Sequence, residues 1–237
     1  MNSPVLLYHK IDRPTPDVKI RGAFTSPRRF ERQMSYLKRN EFRFYTASGI
    51  ADFYSDHGHF PDRGVCVTFD DGWKDNHTHA FPILKRFEIP ATIFLVPSCV
   101  GRLTDQVTAD GEGPREHLSE DDVREMSSTG IEFGSHSMNH KLFDRTEPKE
   151  IEDEVLGSKK YIEDLLQADC RVFAYPAGFY TDFAQDAIRR AGYAAAFSTI
   201  YGPEDGSDIF ALNRSEILRR HGYPFRFARK VRSIFDS

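Results

Sequence analysis

Two adjacent carboxylates close an apolar run: Val65-Cys66-Val67-Thr68-Phe69 is followed at once by Asp70-Asp71-Gly72. A short β-branched run of this kind reads as a buried strand, and Asp-Asp-Gly as the turn that stops it. Asp70 and Asp71 are then the last side chains delivered at the C-terminal rim of a sheet or barrel, where α/β folds place their chemistry. Successive strand residues point to opposite sides, so the two carboxylates can take different tasks. A second apolar stretch, Ile131 to Phe133, leads into Gly134-Ser135-His136-Ser137-Met138-Asn139-His140. On a helical turn, histidines four apart share one side and suit a single metal ion. A third stretch, Arg171-Val172-Phe173-Ala174-Tyr175-Pro176-Ala177-Gly178, is a strand ending in a Pro/Gly turn.

Together these ends supply an apparatus for hydrolysing an amide or an ester. Asp71, His136 and His140 offer one carboxylate and two imidazoles, with positions left for water and substrate. Zn²⁺ suits that ligand set best, with Co²⁺, Ni²⁺ or Mn²⁺ as alternatives. Such a cation polarises a carbonyl and lowers the pKa of bound water. Asp70, beside the cation but not ligating it, is placed to take a proton as general base. Arg171 could hold that base with charge-assisted hydrogen bonds, and a backbone N–H near Tyr175 could face a developing oxyanion. Each piece also has an ordinary explanation: a solvated loop for the histidines, a surface strand start for Arg171, a core aromatic for Tyr175. Their coincidence at three strand ends favours a site.

The elements that must carry these residues alternate along the chain. Val5 to His9 reads as a first strand ending in a histidine. Pro27 to Asn40 is a helix with Phe30, Met34 and Leu37 on one face. Short strand and helix signals follow at 42–45 and 47–54, and His57 and His59 fall in a surface loop. Ala80, Phe81, Leu84 and Phe87 form a helical stripe, and Ala91 to Val96 is a buried strand. Gly101 to Glu116 is a polar excursion. Ser119 opens a helix with Asp122 as a capping-box partner, and Thr146 caps another that runs through Ile151, Val155, Ile162 and Leu165. A short helix near Phe183 to Ile188 ends at Gly192. Strands at 194–198 and 211–218 and a basic terminal helix, Phe225 to Phe235, complete the chain. This alternation predicts parallel β/α units in one domain spanning 1–237, as an open sheet or a barrel.

Composition narrows the partners. The 237 residues carry a net charge of -4 and no basic block, which disfavours nucleic acid. No apolar run reaches the roughly 18 residues of a membrane span. Met1-Asn2-Ser3-Pro4 enters a strand-like stretch without the regions of a signal peptide, so the chain as given reads as cytoplasmic, or as exported if an upstream segment belongs to it. Cys66, Cys99 and Cys170 are an odd, widely spaced set, read as reduced packing residues.

Thr68-Phe69-Asp70-Asp71-Gly72, Ser135-His136-Ser137-Met138-Asn139-His140 and Arg171 to Gly178 resemble, in order and separation, three motifs of the polysaccharide deacetylases, carbohydrate esterase family four. Leu7-Tyr8-His9-Lys10-Ile11 is similar to the branch acting on poly-N-acetylglucosamine. The resemblance implies a distorted (β/α)7 barrel and an N-acetylated glycan substrate. It also implies Asp70 as base, Asp71, His136 and His140 as metal ligands, Arg171 orienting Asp70, and Tyr175 supplying the oxyanion N–H. The chain departs from the pattern near its C-terminus: where many members have Leu-x-x-His, whose histidine protonates the leaving amine, it has Leu212-Asn213-Arg214-Ser215-Glu216-Ile217-Leu218. His9, at a strand end on the catalytic rim, is the first candidate for that acid and His221 the second. A cyclic-amide hydrolase on the same scaffold and a glycan-binding module without turnover are the competing readings. A glycosidase is disfavoured, because adjacent carboxylates cannot readily flank a scissile bond.

Overall fold

The structure, a computed structural model, describes residues 4–16, 18–19, 21–104, 113–199 and 208–235. In chain order its elements are β1 (Val5–Tyr8), α1 (Pro27–Arg39), β2 (Arg43–Tyr45), α2 (Ala47–His57), β3 (Gly64–Phe69), α3 (Phe81–Phe87), β4 (Ala91–Leu95), β5 (Leu103–Thr104), β6 (Arg115–Glu116), α4 (Glu120–Ser127), β7 (Ile131–Ser135), α5 (Pro148–Leu166), β8 (Val172–Ala174), α6 (Asp182–Arg190), β9 (Ala195–Ser198), β10 (Leu212–Asn213), β11 (Ser215–Glu216) and α7 (Pro224–Phe235).

The main sheet runs β10-β9-β8-β7-β4-β3-β1-β11, with every neighbouring pair parallel. Its two ends are one segment. β10 and β11 are separated by Arg214 alone; Leu212 pairs with Phe197 of β9, whereas Ser215 pairs with Leu6 of β1. Residues 212–216 therefore close the sheet, and the result is a (β/α)7 barrel. The closing segment bends at Arg214 where an unbroken strand over 211–218 was expected. β2 lies beside the first half of β3, while β4 pairs with its last residues. β5 and β6 form a small antiparallel pair within the excursion expected at 101–116; residues 105–112 of it lie outside the described residues.

Strand alternation sorts the core into two layers. Val65, Val67 and Phe69 of β3 face outward and pack in one cluster with Phe30, Met34 and Leu37 on the buried face of α1. Cys66 packs instead with Val5, Phe94, Val172, Ala174, Phe197 and Leu212 in a second cluster that fills the barrel. The start of α2 plugs the end of the barrel opposite Asp70. The Ala47 N–H donates to Thr92 Oγ1 at 2.8 Å, and the Ser48 N–H to Glu132 Oε2 at 3.1 Å. The Phe94 ring needs Gly134 beside it: a Cβ there would stand 2.7 Å from the ring and 2.8 Å from Val172 Cγ2. The three cysteines are buried and form no disulfide among the described residues.

Helix boundaries follow local chemistry. Ser119 and Asp122 form the expected capping box on α4. Thr146 does not cap α5: Pro148 takes the first helical position, where its fixed φ is favourable, and Thr146 Oγ1 donates back to the Leu142 carbonyl.

Candidate active site

β3 delivers Asp70 into the barrel and Asp71 onto its rim. Asp71 adopts φ 71° and Gly72 φ 67°, two left-handed residues in succession. Aspartate tolerates that region better than most residues, and backbone strain of this kind gathers at functional sites. At Gly72 a Cβ would also meet Leu95 Cδ2 at 2.8 Å, so glycine is needed for contact as well as conformation. The turn swings the Asp71 carboxylate towards the histidines after β7.

Asp71 Oδ1 lies 3.4 Å from His140 Nε2 and 3.7 Å from His136 Nε2, and the three donor atoms fall within 4.8 Å of one another. The histidines converge from an irregular loop. Ser135 ends β7, Ser137 and His140 have φ 61° and 58°, and the helical turn inferred from their spacing does not form. Their partners suit ligation. His136 Nδ1–H donates to the Ala174 carbonyl at 2.8 Å, which leaves the Nε2 lone pair directed at Asp71. Burial is the main cause that pushes the His136 pKa down to about 4, keeping the ring neutral. Trp73 Nε1–H donates to Asp71 Oδ2 at 2.9 Å, leaving Oδ1 facing the imidazoles. Burial alone would raise the Asp71 carboxyl, but His140, His9, His136 and the Trp73 hydrogen bond hold it well below the ordinary carboxylate range. Behind Trp73, His117 packs at a tilt of 32° with ring centroids 4.2 Å apart and donates through Nδ1–H to the Asp71 carbonyl. This donor set, with its outer hydrogen bonds, fits a divalent cation.

Asp70 is buried and bound by a guanidinium. Arg214 Nη1 and Nη2 each donate at 2.7 Å, one to each carboxylate oxygen. The same arginine donates through Nε to the Ser198 carbonyl and lies over the Phe94 ring at 5.2 Å. Burial raises the Asp70 pKa; Arg214, His136 and His9 outweigh it and keep the group ionised. Asp70 Oδ2 stands 3.7 Å from His136 Nε2, so Asp70 adjoins the three ligand candidates without belonging to their cluster.

Two assignments made from the sequence are corrected. Arg171 does not orient Asp70. It lies immediately before β8, at the opposite end of that strand from the rim that carries Asp70 and Asp71, and its guanidinium is paired at 2.8 Å with both oxygens of Asp52 on α2. Arg214 does that work, from the segment that closes the barrel. Exposed ion pairs contribute roughly 0–1 kcal/mol. Arg171→Ala should therefore leave kcat within about twofold of wild type and lower stability by no more than about 1 kcal/mol, read by initial rates and denaturant unfolding. A large kcat loss without unfolding would return Arg171 to the site. Tyr175 is the second correction. Its N–H donates to the Phe197 carbonyl at 2.9 Å in the sheet, and its hydroxyl to the Phe210 carbonyl at 2.9 Å. Gly178 and Phe179 donate to Tyr175 and Pro176 in the following turn; Ala177, with φ 54°, takes no part in those bonds.

The two acid candidates separate. His9 follows β1 at the rim, half-buried, close enough to Asp70 and Asp71 to lower both carboxyls. His221 Nδ1 accepts the Leu218 N–H, and burial, followed by Arg220, pushes its pKa down to about 4. Such a ring is almost wholly neutral near pH 7 and lacks the imidazolium proton that a general acid must give. His57 and His59 are exposed, as expected.

The sequence pattern of the polysaccharide deacetylase family matches residues 57–196. Over 190 residues the chain is 30% identical to a poly-β-1,6-N-acetyl-D-glucosamine N-deacetylase of Staphylococcus aureus, covering 76% of this chain and 62% of that protein. Among solved structures, the Streptococcus pyogenes deacetylase PplD in complex with acetate superposes with a TM-score of 0.81 at 24% identity, covering 98% of both chains. BC0361, a polysaccharide deacetylase from Bacillus cereus, gives 0.77 at 26% identity, over 96% of this chain and 68% of that one. The match over residues 57–196 takes in the Asp70-Asp71 strand end, the His136/His140 loop and the turn after β8, and the chain belongs to the polysaccharide deacetylase family.

Proposed function

We propose that the protein is a metal-dependent N-deacetylase that removes N-acetyl groups from an N-acetylglucosamine-containing polysaccharide or oligosaccharide and releases acetate. The observation that carries this reading is the convergence of Asp71, His136 and His140 within 4.8 Å beside an Asp70 locked by Arg214. Asp71, His136 and His140 would hold the cation, most suitably Zn²⁺, with Co²⁺, Ni²⁺ or Mn²⁺ as alternatives. When bound, that cation supplies a Lewis acid for the amide carbonyl and an acidified water. Asp70, ionised and fixed in one orientation, accepts the proton of the attacking water. The Ala177 N–H, and not that of Tyr175, is the turn donor left to face the oxyanion. His9 delivers a proton to the departing amine, which leaves poorly as an anion.

Acetate release from N-acetylglucosamine oligosaccharides should fall to background after chelation and return on reloading with Zn²⁺, Co²⁺, Ni²⁺ or Mn²⁺, at about one ion per chain. His136→Ala and His140→Ala should each lose the ion while keeping the fold. A tightly held stoichiometric metal in both variants, or chelator-insensitive acetate release, would refute the reading.

His9→Ala separates the acid from the base. On the amide, kcat should drop about 10²–10⁴-fold. On an activated ester, whose leaving group needs no proton, the loss should be far smaller. Equal losses on both substrates would remove His9 from this role.

A further inference from the structure

Beside the catalytic rim is a cavity of about 410 Å³ whose wall includes Arg13, Arg28, Arg29, Arg32 and Arg219 against one carboxylate, Asp12. Arg29 and Arg219 also border an adjoining cavity of about 410 Å³, to which Arg21 and Arg220 contribute. Such a concentration stands out in a chain of net charge -4. Asp12 does not neutralise it, because its Oδ2 takes a 2.7 Å hydrogen bond from Arg115. Among the described residues, none of the five arginines forms an ion pair; Arg29 instead lies over the Tyr223 ring.

The cavity opens where the catalytic residues do. Asp12 and Arg13 lie on the segment that leaves β1 after His9; Arg28, Arg29 and Arg32 occupy the first turns of α1; Arg219 follows β11. A short relay links cavity and site. Phe24 lines the cavity and packs under Lys10 Nζ at 4.9 Å; Lys10 also lies 4.7 Å over Trp73, which bonds Asp71. A polymer laid across this rim to reach Asp70 would bring its neighbouring units over the arginines.

We infer that this cavity is a subsite for a phosphate group carried on the glycan. Guanidinium forks match phosphate oxygens two at a time, and several around one cavity can take a single phosphate together. The inference rests on the glycan reading proposed above.

The test uses an N-acetylglucosamine oligosaccharide bearing one phosphate, its neutral counterpart, inorganic phosphate and phosphatidylglycerol vesicles. Binding is measured by calorimetry at low salt in the Asp70→Asn background, so that no substrate is consumed. The phosphorylated oligosaccharide should bind about tenfold more tightly than the neutral one, the scale of one good charge-assisted contact. With Asp70 restored, the ratio of the two KM values should show the same preference. Adding Arg28→Ala, Arg32→Ala and Arg219→Ala should abolish both ratios, whereas Arg39→Ala, at the far end of α1, should keep them. Thermal unfolding of the triple variant should match its parent, since these three side chains are at the surface. Absence of the preference in the parent, or its survival in the triple variant, overturns the subsite. Inorganic phosphate binding as tightly as the phosphorylated oligosaccharide overturns it in favour of free phosphate. Arginine-dependent vesicle binding without the oligosaccharide preference overturns it in favour of a membrane surface. Arginine-dependent preference in calorimetry with no acetate release from any glycan supports the subsite and refutes the catalytic reading.

Discussion

Asp70→Asn should lower kcat by about 10²–10⁴-fold while the protein keeps its fold and its metal. An amide oxygen in the same place can still accept a hydrogen bond from Arg214, but it cannot take the proton of the attacking water. Metal should be retained because Asp71, His136 and His140 form their cluster without Asp70. Asp71→Asn is the matched control and should lose metal affinity first, since it replaces the only carboxylate among the three. The pair is read by single-turnover kinetics together with metal content, so that an empty site is not mistaken for a missing base. A near-wild-type kcat in Asp70→Asn would show that another group accepts the proton.

The contrast between those aspartates was legible in the sequence because both sit at the end of an apolar run. Strand period and turn chemistry are local, and they placed β1, β3, β4, β7 and β8 within a residue or two. Alternation of strands and helices gave parallel β/α units. Barrel or open sheet was not decidable from periodicity, since closure depends on one short segment, 212–216, pairing with β9 on one side and β1 on the other. No local pattern records such a pairing.

The arginine error has the same origin. Arg171 sits at the start of a strand, and a strand's two ends lie on opposite rims of a barrel. Proximity to Tyr175 in sequence therefore put it on the far side from Asp70. Arg214 lies 144 residues from Asp70 along the chain. A signal was nevertheless present: Arg214 falls in a strand-like stretch bounded by Leu212 and Ile217, and an arginine drawn into a core by such a strand is rarely buried without a carboxylate partner. The Tyr175 correction is of a different kind. The turn was found, but which N–H in it is spent on the sheet depends on register with Phe197.

Arg214→Met should be the most destabilising of these substitutions, by about 3–5 kcal/mol, because it leaves the Asp70 carboxylate buried without its counter-charge. The loss should depend on pH, with a definite sign. In the wild type the Asp70 pKa is depressed, so its contribution is present above the unfolded carboxylate value of about 3.9 and fades as pH falls through the folded value. Without Arg214, burial prevails and the folded pKa rises above the unfolded one. The variant's deficit should then be smallest near pH 4 and grow as pH rises towards the new folded pKa. The acidic limb of its kcat profile should move upward by the same cause, since a protonated Asp70 cannot act as base. Asp70→Asn added to Arg214→Met removes the stranded charge and should recover much of the stability, making the two substitutions strongly non-additive. Denaturant unfolding of the four proteins between pH 4 and 8 decides the matter. A pH-independent deficit, or simple additivity in the double variant, would mean that Arg214 supports the barrel through Phe94 and Ser198 alone and does not hold the base ionised.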